Sequence, residues 1–262
     1  MLPVFTTIMR TREVLLATLW DEVRRKYAGS AFGMFWLLLL PLMFLGFYSI
    51  VYLTIFKVKP VDMAPADYVL FIYVGLMPFL SFSESISSGA GALASNRAVL
   101  LNTVFPAELI PLRTVLAAQT TFLVGISVAV LWAGIEGRLS PWIALLPLYI
   151  SAQIMFLTGL AWILAPIYLV FRDLGQILNF VVLGLMVISP IAYRASSLSP
   201  QVRALVDYNP LYYFLVGYQS IIFDGVAPPF NTAAIMLAGS MAMFMLGHWF
   251  CRRVKTIVAD YA

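Results

Sequence analysis

Residues 24–41 read RRKYAGSAFGMFWLLLLP, so three consecutive cations stand directly before a nearly pure apolar run. No charged residue occurs from position 27 to position 56. The core of this run, residues 32–56, has 25 residues, which is enough to cross a hydrocarbon layer of about 30 Å with some tilt. The stretch therefore predicts a first membrane span with a positively charged flank.

The composition indicates that lipid is the main solvent of the whole chain. Of its 262 residues, 62% are hydrophobic and 11% are charged, whereas a soluble domain carries about 25% charged residues. Further apolar runs predict an all-α integral membrane protein with six transmembrane helices, and we expect no signal peptide. The predicted spans two to six are residues 67–93, 114–135, 139–171, 174–193 and 230–251.

The distribution of lysine and arginine predicts the orientation of the spans. With six crossings both termini lie on one side, and the segments on that side hold most of the 16 lysine and arginine residues. The opposite side holds only Lys57, Lys59, Arg138, Arg194 and Arg203. Because cytoplasmic loops carry the excess of positive charge, both termini are predicted to be cytoplasmic. The net charge of +4 therefore reflects topology, and we expect no nucleic acid partner.

Two further elements are predicted beside the six spans. Residues 3–27 place apolar side chains at helical spacing, which fits either an amphipathic helix in the membrane surface or a helix packed on its own bundle. The apolar segment 209–223 has 15 residues, which suits a re-entrant or interfacial helix better than a crossing. Asn209 and Pro210 predict its start, with a capping side chain and a proline in the first turn.

The segment between spans two and three, residues 95–112, carries its own structural signals. Ser95 and Asn96 predict a helix cap, and Pro106 and Pro111 are expected to break the short helix that follows. A short structured loop on the cytoplasmic face is either a plain connector or a docking element for a soluble partner.

Glu84 is the one acidic residue in the central part of a predicted span. Intramembrane acids usually face a protein or water interior and mark a functional site. The alternative is a structural carboxylate held by neighbouring serine hydroxyls, and the lack of a basic residue at comparable depth favours this role. His248 and Cys251 are single members of their kinds, so the sequence predicts neither a metal site nor an internal disulfide.

Aromatic side chains crowd the outer half of the predicted bundle, among them Tyr193 and Tyr212. This enrichment is typical of the interfacial aromatic belt. Tyr48, Tyr52 and Phe56, however, repeat every four residues and so share one face of the first span. Since aromatic faces stack well on sugar rings, lining a path for a glycan is the alternative to the belt.

Several segments together resemble the permeases of ABC type-2 transporters, in the branch that exports polysaccharides such as O-antigen, capsule and teichoic acid. The approach to span one matches the family pattern at Lys26, Tyr27, Ser30, Gly33 and Trp36, with Phe32 where leucine is usual. The other matching segments are NRAVLLNTVFPAELIPL (96–112), VFRDLGQIL (170–178), SPIAY (189–193) and YNPLYYFLVGYQSIIFDG (208–225). The resemblance covers essentially the whole chain in the right order.

This resemblance implies a single ABC type-2 transmembrane domain over residues 1–262. Its implied parts are a cytoplasmic interfacial helix (1–30), a six-span bundle (31–252) with a coupling loop (95–112) and a re-entrant region (207–226), and a cytoplasmic tail (253–262). It also implies a homodimer in the bacterial inner membrane, with the pathway between the copies and two separate ATPase subunits docked below. No Gly-x-x-x-x-Gly-Lys-Ser/Thr phosphate loop occurs in the sequence. We therefore expect ATP and magnesium on the partner ATPase, and neither a cofactor nor a catalytic residue on this chain.

Three groups of residues are expected to carry the implied transport function. The substrate access site for a lipid-linked polysaccharide comprises Arg24, Arg25 and Lys26, whose plain alternative is a topology signal beside membrane lipids. The residues expected to couple to the ATPase are Asn96, Leu100, Phe105, Pro106 and Glu108. Those expected to line the pathway are Tyr48, Tyr52, Phe56, Glu84, Tyr193 and Tyr212.

Two other functions stay open on the sequence. One is export of a small molecule or drug by the same kind of permease, although the tyrosine-rich outer face and the lack of a large soluble insertion favour a glycan. The other is an intramembrane glycosyl or acyl transferase. Such an enzyme needs an acid or histidine constellation at one membrane face, whereas the sequence offers only the isolated Glu84 and His248.

Overall fold

The computed structural model describes residues 12–55, 63–97, 106–195 and 198–254, which are helical apart from short connections. The helices are α1 (Arg12–Tyr27), α2 (Trp36–Ser49), α3 (Pro65–Ser95), α4 (Leu109–Ile135), α5 (Leu146–Val170), α6 (Leu174–Ile188), α7 (Pro200–Asp207), α8 (Pro210–Tyr218) and α9 (Phe230–Arg253). Short 3-10 turns precede α2 and α5 at Gly33–Phe35 and Pro141–Leu145. Wider π-helical turns extend α2 and α8 at Ile50–Ile55 and Gln219–Asp224.

Five helical stretches of the described residues are long and apolar enough to cross a membrane: Gly33–Tyr52, Pro65–Ser95, Leu109–Ile135, Pro141–Val170 and Phe230–Arg253. They correspond to predicted spans one to four and span six. The fifth predicted span holds α6, which has 15 residues and a rise of about 22 Å. It ends at Ile188 rather than Tyr193, because Ser189 takes an extended backbone before Pro190. A multi-pass helical membrane protein is thus confirmed, and the sixth crossing stays a prediction.

The central helix of the bundle is α3. In the most apolar 18 residues of α3, 78% of the side chains belong to buried residues, whereas only 11% of the residues are buried in the most apolar 18 residues of Gly33–Tyr52. Along its length α3 packs on α4 and α5, and α5 packs on α9. Leu70, Ile72 and Leu76 of α3 are completely buried. The helix α2, by contrast, leaves most of its apolar surface for lipid or for another chain.

Helices α5 and α9 cross with their backbones in contact. A side chain at Gly159 would meet the carbonyl group of Met243, and one at Gly247 would meet the carbonyl group of Gly159. Small residues allow such close approach between membrane helices, whose association depends on packing and not on water expulsion. Trp162 and Phe244 fill the neighbouring layer, with their ring centroids 4.9 Å apart. The two helices therefore form one tightly joined pair.

Helix α8 begins at the position that the sequence predicts. The side chain of Asn209 accepts a hydrogen bond from the backbone N–H of Leu211 at 3.0 Å, with Pro210 in the first turn. Within α8 and its extension, Leu215 and Ile222 are completely buried. Gly225 ends the element with a left-handed φ of 64°, a conformation that glycine adopts without strain. This element packs inside the bundle, and its re-entry from the outer face stays a prediction.

One expectation for the loop between α3 and α4 is wrong, and another falls mainly on residues that the structure does not describe. Ser95 ends α3, and the Asn96 side chain donates to the Ala92 carbonyl at 2.8 Å; the short helix that these two residues are predicted to cap extends into residues 98–105, outside the described residues. Pro111 breaks no helix, because it lies in the first turn of α4, where a backbone N–H has no helical partner. Leu100 and Phe105 belong to residues 98–105, which lie outside the described residues.

Candidate functional site

The helix α1 joins the bundle through one apolar edge. Leu15, Val23 and Tyr27 are buried against α4, which confirms the expectation of a helix that packs on its own bundle. Leu16 and Trp20 are exposed, at 62% and 49%. Exposed apolar side chains on a basic helix suit the membrane surface, and that placement stays a prediction.

Arg113 holds three parts of the chain together. Its buried guanidinium, near the start of α4, forms an ion pair with Glu22 of α1. From Nη2 it also donates to the Asn96 side-chain oxygen at the end of α3, at 2.7 Å. Glu22 in turn accepts from the Thr114 hydroxyl at 2.8 Å. We call Glu22, Asn96 and Arg113 the Arg113 junction, because it connects α1 to both ends of the 95–112 loop.

Lys26 of α1 forms an ion pair with Glu84 in α3. Two expectations are thus wrong: a basic residue does reach Glu84, and serine hydroxyls do not hold its carboxylate, since Ser88 donates to the Glu84 backbone carbonyl. Burial of the Lys26 ammonium opposes its charged form, but the Glu84 carboxylate outweighs this effect and raises the pKa of Lys26. The two side chains remain 35% and 30% exposed, so the pair lies at the surface of the subunit.

A double-mutant cycle tests this ion pair. We expect the combined Lys26→Met, Glu84→Gln variant to be more stable than the sum of the single effects predicts, because each single change leaves one group without its partner. For partly exposed charges in contact, the coupling energy should be about 0.5–2 kcal/mol. Thermal unfolding of the four proteins in one detergent gives this value. A parallel cycle with Arg25→Met is the control, and equal coupling in both cycles would exclude a specific pair.

Arg24 and Arg25 stay on the open side of α1, where both are exposed. The Arg24 guanidinium carbon lies 5.0 Å from the centre of the Trp20 ring, within the range of a cation–π contact. The three residues predicted to form a substrate access site therefore do not act as one cluster. Lys26 turns into the bundle toward Glu84, and the two arginines remain available to a ligand.

Tyr48 and Tyr52 share one face of α2 and its extension, as predicted. Their rings stack with centroids 6.1 Å apart and an interplanar angle of 14°. Tyr52 meets the Tyr68 ring of α3 edge-on at 6.2 Å, and the Tyr68 hydroxyl donates to the Ala192 carbonyl at 2.8 Å. This face therefore points toward α3 in the subunit. Phe56, the third residue of the predicted stripe, lies outside the described residues.

The other two predicted lining residues lie in different surroundings. The Tyr193 hydroxyl donates to the Ile188 carbonyl at the end of α6. Tyr212 of α8 is 8% exposed and packs edge-on against Tyr213, with ring centroids 5.1 Å apart. Within one subunit Tyr212 is thus a packing residue, and the lining role of both tyrosines stays a prediction.

The described end of the coupling loop is anchored on α5. The Glu108 carbonyl accepts a hydrogen bond from the Trp162 indole N–H at 2.7 Å. The Pro106 carbonyl accepts from the Leu109 N–H at 2.9 Å, which closes a turn before α4. Across the described ranges, no group of three or more His, Cys, Asp or Glu residues could hold a metal ion.

Sequence reasoning missed a buried polar layer that joins α3, α4 and α5. The Gln119 side-chain oxygen accepts from the Ser81 hydroxyl at 2.7 Å, and the Gln153 amide donates to the same hydroxyl at 3.0 Å. Gln119 and Gln153 are 1% and 0% exposed. The sequence did contain an indication of this layer, because polar residues inside an apolar run usually face protein rather than lipid. Hydrogen bonds of this kind fix the register of the three central helices.

Two ion pairs close the end of the bundle opposite the Arg113 junction. Arg138 contacts Asp67 at 2.5 Å, which joins the connection after α4 to the start of α3. Arg194 contacts Asp224 at 2.7 Å, which joins the connection after α6 to the end of the α8 extension. The charge distribution predicts both arginines on the outer side of the membrane.

The apolar helices and the charged contacts at both ends of the bundle define a multi-pass helical membrane protein. No protein-family model matches the chain. The chain is 27% identical over 235 residues to the O-antigen export system permease protein RfbA of Myxococcus xanthus, an alignment that covers 88% of each protein. Two Klebsiella pneumoniae proteins of the same name are 29% and 28% identical over 211 and 209 residues, with 78% of each protein covered. The predicted resemblance to polysaccharide-exporting permeases is therefore confirmed.

Proposed function

We propose that the chain is the membrane permease subunit of an ATP-driven ABC exporter. Its substrate would be a lipid-linked or lipid-anchored polysaccharide, such as O-antigen or capsule, moved from the cytoplasm across the bacterial inner membrane. The observation that carries the proposal is the alignment with three O-antigen export permeases over 78–88% of the chain. An assembly of apolar helices without a large soluble insertion is compatible with a transport subunit that hydrolyses no ATP itself.

In the proposed assembly two copies of the chain enclose the pathway, and two soluble ATPase subunits dock on the cytoplasmic side. The helix α6 would make the sixth crossing, α8 would re-enter from the outer face, and both termini would be cytoplasmic. Only 11% of the residues in the most apolar part of Gly33–Tyr52 are buried in the subunit. The helix α2 therefore leaves an apolar surface for the second copy. The stacked Tyr48 and Tyr52 rings lie on the side of this helix that faces α3, so their proposed lining role requires a pathway that reaches the space between α2 and α3.

The proposed route of coupling runs from the 95–112 loop to α1. An ATPase that moves this loop would act on Asn96 and Arg113, which the Arg113 junction holds together at 2.7 Å. The ion pair of Arg113 with Glu22 would pass that displacement to α1. Since α1 also carries Arg24 and Arg25, the motion would reach the side chains proposed to hold the substrate headgroup.

Complementation together with purification tests the proposed function. The tagged chain, produced with a soluble ATPase from the same gene neighbourhood, should retain that ATPase in detergent. It should also restore surface polysaccharide to a strain that lacks the chain, whereas the chain without the ATPase should not. Normal surface polysaccharide in the deletion strain would contradict the proposal. Restored efflux of a small dye with unchanged polysaccharide would favour the small-molecule exporter instead.

A charge-preserving variant tests the substrate access site. Arg24→Lys combined with Arg25→Lys is expected to lower substrate-stimulated ATPase activity several-fold, because a guanidinium binds phosphate through two parallel hydrogen bonds and an ammonium does not. The positive charge, and therefore the orientation of span one, stays the same. ATPase activity of the complex with and without lipid-linked substrate gives the result. Arg203→Lys, at an exposed position of α7, is the matched control, and unchanged stimulation would leave the cluster a topological role only.

A further inference from the structure

An apolar groove opens between the end of α5 and the end of α9. Ile167, Val170 and Phe171 line one side of it, and Phe250 and Val254 line the other. Its volume is about 270 Å³, slightly below the range of about 300–1,000 Å³ for small-molecule sites. Val170 and Phe171 are 54% and 47% exposed, so the groove is open to the surroundings of the bundle. Its volume and apolar lining suit an apolar chain.

Two arginines are direct chain neighbours of residues that line this groove. Arg172 directly follows Phe171, and Arg253 directly precedes Val254 on α9, about 60° around the helix from Phe250. Both are exposed, and neither forms an ion pair with any described residue. The Arg253 guanidinium carbon lies 5.8 Å from the centre of the Trp249 ring, and Trp249 itself is 55% exposed. The neighbouring carboxylate, Asp173, is also exposed.

We propose that this groove binds one acyl chain of an anionic phospholipid, whose phosphate lies between Arg172 and Arg253. Both helices end here, where apolar spans give way to charged residues, so the arginines lie at headgroup level. Basic pockets between membrane helices on the cytoplasmic side are typical sites for anionic lipid headgroups. A zwitterionic lipid would bring its own cation against the two arginines. A free phosphate ion would leave the apolar groove empty.

The site lies beside the part of the bundle that carries the 95–112 loop. Leu169 and Val254 pack against a cluster that contains Leu93 of α3 and Ile110 of α4. Those two residues stand in the last turn of α3 and the first turn of α4. A bound acyl chain would therefore support both ends of the loop. This role does not depend on which substrate the protein transports.

Lipid-dependent thermal stability tests the site in the full chain. Phosphatidylglycerol added to the delipidated protein in detergent is expected to raise Tm by about 3–5 °C, because a ligand that binds only the folded state stabilises it. Phosphatidylcholine should give less than half of this shift, and inorganic phosphate should give none. The double variant Arg172→Gln, Arg253→Gln should lose the preference for phosphatidylglycerol. Ile167→Trp, which fills the groove, should lose the shift altogether.

Matched controls separate this site from general lipid binding. Arg203→Gln removes an exposed arginine elsewhere, and Leu183→Trp adds a ring to α6 at a residue that is 60% exposed. Both controls should keep the shift of the unmodified protein. A full shift in Ile167→Trp, or equal shifts with the two lipids, would overturn the proposal. Should the glutamine variant not fold, native mass spectrometry decides, since Ile167→Trp should lose one retained phosphatidylglycerol that Leu183→Trp keeps.

Discussion

Replacing Arg113 with alanine is expected to lower polysaccharide export at least tenfold while the chain still inserts in the membrane. The change leaves the Glu22 carboxylate and the Asn96 side chain without their shared partner. The Arg113 side chain is only 10% exposed, and removing one partner of so buried an ion pair costs about 3 kcal/mol. With the junction broken, α1 no longer follows the loop. Surface polysaccharide, normalised to the amount of chain in the membrane, measures the effect.

A charge reversal separates coupling from simple loss of stability. Glu22→Arg combined with Arg113→Glu restores opposite charges across the same contact and should recover part of the export that either single change removes. Arg203→Ala, at an exposed arginine distant in the chain, should behave as the unmodified protein. Export at the normal level in Arg113→Ala would show that the junction has no part in coupling.

A carboxylate within the 95–112 loop is expected to abolish export. Leu100→Asp and Phe105→Asp should each prevent docking of the ATPase, because a charge buried without a partner in an apolar groove costs several kcal/mol. The described ends of this loop are fixed by the Arg113 junction and by the Glu108–Trp162 hydrogen bond. Purification of the tagged chain should recover less ATPase from both variants, and surface polysaccharide should be lost.

The matched control for the loop is Asn102→Asp, which adds the same charge at a polar position of the segment. It should retain both the ATPase and export. Full export in Leu100→Asp and in Phe105→Asp would remove the coupling role of the loop, whereas loss of the chain from the membrane would assign the effect to folding.

The spans were predictable because the hydrocarbon thickness imposes their length on the sequence. Predicted span two, residues 67–93, differs from α3 (Pro65–Ser95) by two residues at each end. Span length did not predict the end of α6, where apolar residues continue beyond Ile188 but the Ser189–Pro190 step ends the helix. Periodicity did not predict the place of Pro111, since it does not show whether a proline lies in a first turn or in a helix interior.

The candidate site was less predictable, because its contacts join residues that are distant in sequence. Glu84 pairs with Lys26, 58 positions earlier on a separate helix, and only the packing of α1 brings the two together. In the sequence Arg113 counts only as one of the positive charges on the side of the termini, although it directly follows the 95–112 loop. The cap at Asn209 was predictable, because it depends on the two residues that follow it.

The backbone contact between Gly159 and Gly247 determines which parts of this subunit can move relative to one another. With no side chain between the two backbones, no rotamer change can open the contact between α5 and α9, and we expect the two helices to move together. The helix α2 has the opposite property, since few of its side chains are buried in the subunit. A change of shape that admits a bulky molecule would therefore displace α2, and α5 with α9 would remain the stationary frame. We expect the hinge for that motion in the stretch between Tyr27 and Trp36, where Gly29 and Gly33 have positive φ angles of 77° and 48°.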